Sequence, residues 1–103
     1  MQMRSSRRFD WDAGNLDHCR KHGVSIAEIE NLLGGGDAMI SPDPHGGEER
    51  FRAAGRTNAG RSIFVVFTLR RRGAQTLVRP VSARFMHQKE VANYEKAVSH
   101  LRH

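Results

Sequence analysis

The order of apolar and polar positions changes period several times along this chain, and each change marks an element. The opening "RRFDWD" alternates, with Phe9 and Trp11 on one side and Asp10 and Asp12 on the other, which predicts a short strand. Asp12 is placed to cap a helix running to His22, with Gly23 as its stop. "SIAE" has capping-box spacing, Ser25 reaching forward and Glu28 back. The helix it opens carries Ile26, Ile29, Leu32 and Leu33 on one face and ends at Gly34 to Gly36. "AMISPDPHGGEE" then predicts a short extended piece, broken by Pro42 and Pro44, and a loop.

From there the period is two. "RFRAAGR" sets Arg50, Arg52 and Arg56 on one face against Phe51 and Ala53 on the other, and "TNAG" is a hairpin turn. "RSIFVVFTLRRR" is apolar on both faces in its middle, as a central strand is. Gly73 turns the chain into "QTLVRPVSARF", where Pro80, lacking an N–H, argues for an edge position or a bulge. "HQKEVANYEKAVSHLRH" returns to helical spacing, with Val91, Tyr94, Val98 and Leu101 in one stripe. The expected fold is α+β: an N-terminal strand and two helices, a four-stranded antiparallel meander, then a C-terminal helix. Helices should cover one face of the sheet and leave the other, where the arginines point, partly open.

Composition narrows the class. With 103 residues the chain is read as one domain, 1–103, in which residues 1–7 form a flexible tail. It has no apolar run of about 18 residues for a membrane helix, and its basic N-terminus is not followed by the apolar stretch of a secretory signal. Cys19 has no cysteine to pair with. A soluble cytoplasmic protein is expected.

Charge changes the picture more. The net charge is +6, and 14 of the 17 basic residues are arginines. From Arg50 to Lys89 there are nine arginines, one lysine and no acid. A one-signed block of guanidinium groups repels itself and gains most from a polyanion or an acidic partner.

The candidate chemistry lies in "HCRKHGVS". His18 and His22 share a helix face at i and i+4. Cys19 follows His18 where a zinc protease has its glutamate, cations crowd the pair and no third ligand is evident nearby. Neither a metal nor another cofactor is therefore expected. Cys19 itself lies near the apolar stripe and reads as core. RNA cleavage asks for a base at the 2′-hydroxyl, an acid at the leaving 5′-oxygen and fixed cations around the phosphorane. His18, Lys21 and His22 can move protons, while Glu49, Arg50, Arg56, Arg70 and Arg84 border the open face. Each has a structural alternative: Glu49 pairing with an arginine, Arg84 anchoring the last helix, Phe9 and Trp11 belonging to the core instead of stacking bases.

The blocks "FDWD…HCRKHGVS", "EERFRAAGR", "FVVFTLR" and "RPVSARFMHQKEVANYE", in order from Phe9 to about Glu95, resemble the BrnT family of bacterial toxins. The resemblance implies a fold related to the RelE toxins and an endoribonuclease that arrests translation and growth. It also implies a neutralising BrnA-like antitoxin with a ribbon-helix-helix part, the complex of the two repressing its own promoter DNA. The family blocks fall on Lys21, His22 and Gly23, on Glu49 and Arg50, on Gly55 and Arg56, and on Ser82, Ala83 and Arg84. The expected catalytic set is therefore Lys21, His22, His18, Glu49, Arg56 and Arg84, with Arg50, Arg52, Arg70 and Arg79 binding RNA. Arg56 and Arg84 are expected to converge on one phosphate. The rival readings are a non-catalytic nucleic-acid-binding module and a scaffold whose arginines exist to dock an acidic partner.

Overall fold

The computed structural model describes residues 8–35, 37–43 and 49–101. Residues 1–7, expected to form a tail, lie outside the described residues. In chain order the elements are α1 (Ala13–Arg20), α2 (Ile26–Gly35), β1 (Met39–Pro42), β2 (Phe51–Arg56), β3 (Ser62–Arg72), β4 (Gln75–Phe85) and α3 (Gln88–Leu101). The strands form one antiparallel meander in the order β1-β2-β3-β4. No helix among the described residues is long and apolar enough to cross a membrane.

Local signals set the helix starts. The Asp12 carboxylate accepts from Asn15 N at 3.1 Å while Asn15 Oδ1 accepts from Asp12 N at 2.7 Å, so α1 opens with a reciprocal cap. α2 opens with the expected Ser25–Glu28 box, at 3.0 and 3.1 Å. α1 stops earlier than expected, at Arg20, because Gly23 takes a φ of 90° and its N–H turns back to Arg20 O. His22 therefore sits in the turn, one residue past the cap Lys21.

Ile63, Val65 and Phe67 of β3, with Ala53, Val78 and Ala83 on its neighbours, face α1 and α2 and close a core on Cys19, Val24, Ile29, Leu32 and Leu33. Gly55 lets β2 approach α2: a Cβ there would meet Leu32 Cδ1 at 2.4 Å. Pro80 satisfies both of its expected positions. β4 is an edge strand, and its register slips between Val66↔Ser82 and Phe67↔Pro80, which leaves Val81 as the extra residue of a bulge.

Two expectations change. The N-terminal strand is reduced to a single parallel bridge, Phe9↔Val78, because Asp12 already caps α1 and only Arg8 O and Asp10 N reach β4. And α3 does not join the other helices. It crosses the second face of the sheet, where Asn93, Tyr94 and Ala97 stand over Met39, Ala54 and Phe64 across a groove of about 350 Å³. Ion pairs anchor it there: Arg84 with Glu90 and Arg56 with Glu95.

Candidate active site

Strand register puts three rows of side chains on the second face: Arg52–Val66–Ser82, Ala54–Phe64–Arg84, and Arg56–Ser62. In the middle row the Phe64 ring carries two guanidinium groups, with Arg52 Cζ 4.6 Å and Arg84 Cζ 5.0 Å from its centroid. The negative face of the ring holds both cations, so Phe64 gathers charge that would otherwise repel. Beside this cluster opens a cleft of about 370 Å³, lined by Arg50, Arg52, Phe64, Val66, Ser82, Ala83, Arg84 and Asp43, with His18 and His22 on its rim. The end of α1 delivers the histidines, since α1 packs along β4.

The cations of the cleft are held differently. Arg84 makes a bidentate pair with Glu90 at 2.8 and 2.9 Å and also donates to Phe85 O at 3.2 Å. The guanidinium, helped by the His87 N–H, holds the Glu90 carboxyl down at about 2. Arg84 thus anchors α3 and faces the cleft at once. Arg52 has no carboxylate partner among the described residues, and the buried Nε of Arg50 has no hydrogen-bond partner.

This contrast extends through the basic block. Acids from outside it return to neutralise five of its nine arginines: Glu95 on Arg56, Glu28 on Arg61, Asp10 on Arg72, Asp10 and Asp12 on Arg79, and Glu90 on Arg84. Arg50 and Arg52 in the cleft, and Arg70 and Arg71 at the far end of β3, keep their charge uncompensated among the described residues.

The structure therefore brings together His18, His22, Arg50, Arg52 and Arg84 from the sequence candidates. It does not bring Arg56 to the cleft: that side chain belongs to the third row and reaches Glu95 further along α3. Arg79 is turned to the N-terminal segment, with Asp10 at 3.4 Å and Asp12 at 3.0 Å, and is 19% exposed. Arg70 lies beyond the sheet body, and the exposed Lys21 and Glu49 do not line the cleft. Phe64 and Ser82 were not read from the sequence as site residues. The paired register of "FRAAGR" with "IFVVF" is the signal that points to Phe64, and it appears only once the meander is aligned.

Cys19 is fully buried, and burial pushes its thiol up to about 11, so it belongs to the core and not to the chemistry. Trp11 donates to Glu30 at 2.9 Å and, like Phe9, packs against the core. Among the described residues no three His, Cys, Asp or Glu side chains gather as a metal-ligand set.

A search of the curated proteins returned no match. A family model described as the ribonuclease toxin, BrnT, of type II toxin–antitoxin systems matches residues 11–90, which takes in α1, the whole meander and the Arg84–Glu90 anchor. On that match this chain belongs to the BrnT family of ribonuclease toxins.

Proposed function

We propose that this protein is an endoribonuclease that cleaves RNA without a metal ion, and that the cleft beside Phe64 is its active site. The observation that carries this reading is the meeting, in one cleft, of two histidines with arginines that have no carboxylate partner among the described residues. His18, in the last turn of α1, and His22, in the turn that follows, line the same cleft, so the two imidazoles can serve opposite sides of one phosphodiester. One neutral imidazole takes the proton of the 2′-hydroxyl as the 2′-oxygen bonds to phosphorus. The other, as imidazolium, gives a proton to the 5′-oxygen as that bond to phosphorus breaks. The products are a 2′,3′-cyclic phosphate and a free 5′-hydroxyl. Arg50 and Arg52 meet the charge that builds on the phosphorane, and Arg84, oriented by Glu90, closes the third side. Phe64 positions the guanidinium groups, whose planes can also stack on splayed bases. Lys21, next to His22 in the chain, adds positive charge beside the rim.

The reading extends to the cell. The fold is of the RelE type, cleavage of cytoplasmic RNA arrests translation, and a BrnA-like ribbon-helix-helix antitoxin neutralises the toxin. Promoter DNA is bound through that antitoxin.

The test is cleavage of end-labelled RNA by the purified chain in EDTA, with the product ends identified. Cleavage that persists and leaves cyclic phosphate supports the mechanism. His18→Ala and His22→Ala should each lose ~10²–10⁴-fold in rate while keeping the parent's circular dichroism and antitoxin binding. Abolition by EDTA with rescue by zinc would overturn it, and binding without cleavage would favour the non-catalytic module.

A further inference from the structure

Two of the strands outrun the sheet. β2 stays with β3 as far as Phe51↔Phe67, whereas β3 and β4 continue paired to Arg72↔Gln75. Thr68 to Arg72 and Gln75 to Arg79 form a ribbon reaching ~17 Å past Phe67 at ~3.4 Å per residue. The Arg8–Asp10 segment lies on its β4 edge, bonded to Val78, and Arg8 donates to Gln75 Oε1 at 3.3 Å. Arg70, Arg71 and Arg72 follow one another at its end, so guanidinium groups point from both of its faces. The ribbon carries no acidic residue. Arg72 reaches back to Asp10 at 3.6 Å, but Arg70 and Arg71 are exposed and have no partner among the described residues. Leu69 beside them is 50% exposed.

Stability does not explain this arrangement, because neighbouring like charges on a ribbon repel. Solubility does not either, since mixed signs serve it better than a one-signed tip. Elsewhere in the block the fold returns a carboxylate to an arginine, and among the described residues the cleft and the ribbon each hold a pair without one. A single RNA strand would engage one face of the ribbon. Cations on both faces can meet the phosphates of the two strands that flank a groove of an A-form duplex without entering it. The deep groove of A-form RNA offers phosphates and not readable base edges, so such a contact is independent of sequence.

We propose that the ribbon is a second RNA contact, a phosphate clamp for a paired stem next to the strand cut in the cleft. The preferred substrate class is then RNA with a helix beside the cleavage point. Phe64 and Arg71 are seven residues apart on β3, ~24 Å at ~3.4 Å per residue. At one phosphate per ~3.4 Å of strand, the stem begins within ~7 nucleotides of the cut.

This rests on the ribonuclease reading, and the experiment separates the two. The parent and Arg70→Gln/Arg71→Gln are compared on a single-stranded oligonucleotide too short to span the gap and on a hairpin carrying the same cut site beside its stem. The double variant should cleave the short substrate at the parent rate. On the hairpin its KM should rise ~10-fold with kcat unchanged, and the salt dependence should lose close to one log–log unit per contact removed. Arg70→Lys/Arg71→Lys should recover most of the affinity. Lys89→Gln/Lys96→Gln, which removes the same charge from α3, should leave the preference intact. Equal KM changes on both substrates, or a loss confined to antitoxin affinity, would overturn the clamp. If the parent cleaves neither RNA, the ribonuclease reading fails by itself. Binding of a 2′-O-methyl hairpin then decides the clamp: it stands if the double variant binds ~10-fold more weakly, and falls if binding is unchanged.

Discussion

Replacing Arg52 by alanine separates the cleft from the rest of the basic face. Two terms are removed. The first is structural: the guanidinium lies 4.6 Å from the Phe64 centroid and has no ion pair among the described residues. A cation–π contact of this half-exposed kind is worth ~0.5–1 kcal/mol, so melting should fall by ~2–8 °C in a domain of this size. The second is catalytic. Loss of one preorganised donor from an oxyanion site costs ~2.7–4 kcal/mol. This cleft is open to water, so ~2–3 kcal/mol is the better figure, a fall of ~30- to 150-fold in kcat/KM. Arg52→Lys keeps the charge but loses the planar fork and the stacking, and should recover only part of the rate.

Arg56→Ala is the internal control, because Arg56 lies on the same face of the same strand. Its partner Glu95 is about as exposed as it is, so losing the pair costs at most ~1 kcal/mol of stability. Its effect on cleavage should stay within ~3-fold. Arg84→Ala is less informative, since it strands Glu90 and unfastens α3 as well as removing a cation. The assay is single-turnover cleavage of labelled RNA, with melting temperature and antitoxin binding measured on each variant. If Arg52→Ala keeps the parent rate while Arg56→Ala loses it, the reacting phosphate sits at the other end of β2 and the cleft is not the active site.

Three further outcomes test the frame. The Arg61 guanidinium, paired with Glu28 at 2.9 and 3.0 Å, lowers that carboxyl from 4.5 to about 2 on folding. The resulting stability is present above pH 4.5 and lost as pH falls towards 2, so the melting difference between parent and Glu28→Gln should shrink over that window; a constant difference would refute the pairing. Cys19 should resist a thiol reagent in the native protein at neutral pH and react at once in denaturant, and rapid native labelling would show that the core around it is open. Asn15→Ala takes a donor from Asp10 O and Pro80 O and an acceptor from Asp12 N, which should cost ~2–4 kcal/mol and at least ~8 °C in melting; a loss under ~3 °C would mean water replaces the amide.

Elements with local causes could be read from the chain. Both helix caps, the "TNAG" turn and the meander follow from side chains within four residues of the backbone they organise. The side of the sheet taken by α3 could not. The stripe of Val91, Tyr94 and Val98 says that one face of the helix is apolar, not which sheet face it meets, and ion pairs with Arg56 and Arg84 decide the matter. The same limit applies within the site. Arg52 and Arg56 have identical alternation, and their four-residue separation is ~13 Å along a strand, a distance that pattern alone does not connect to a histidine. Phe64 was hidden for a related reason: "IFVVF" is apolar at every position, so no period of two marks which side chains face the core.

The separation of charge along the chain has a physical consequence once it folds. An acid inside the block would sit within a few residues of an arginine and neutralise it wherever the strand went. With the acids kept outside, a pair forms only where another element is brought alongside, so pairing reports on assembly. Asp10 and Asp12 meet Arg79 because the N-terminal segment lies on β4, Glu28 meets Arg61 because α2 begins beside the β2–β3 turn, and Glu90 and Glu95 meet Arg84 and Arg56 because α3 crosses the sheet. The paired arginines hold the frame together. The four left over, two in the cleft and two on the ribbon, have no carboxylate partner among the described residues, and a phosphate backbone has the charge to occupy both places.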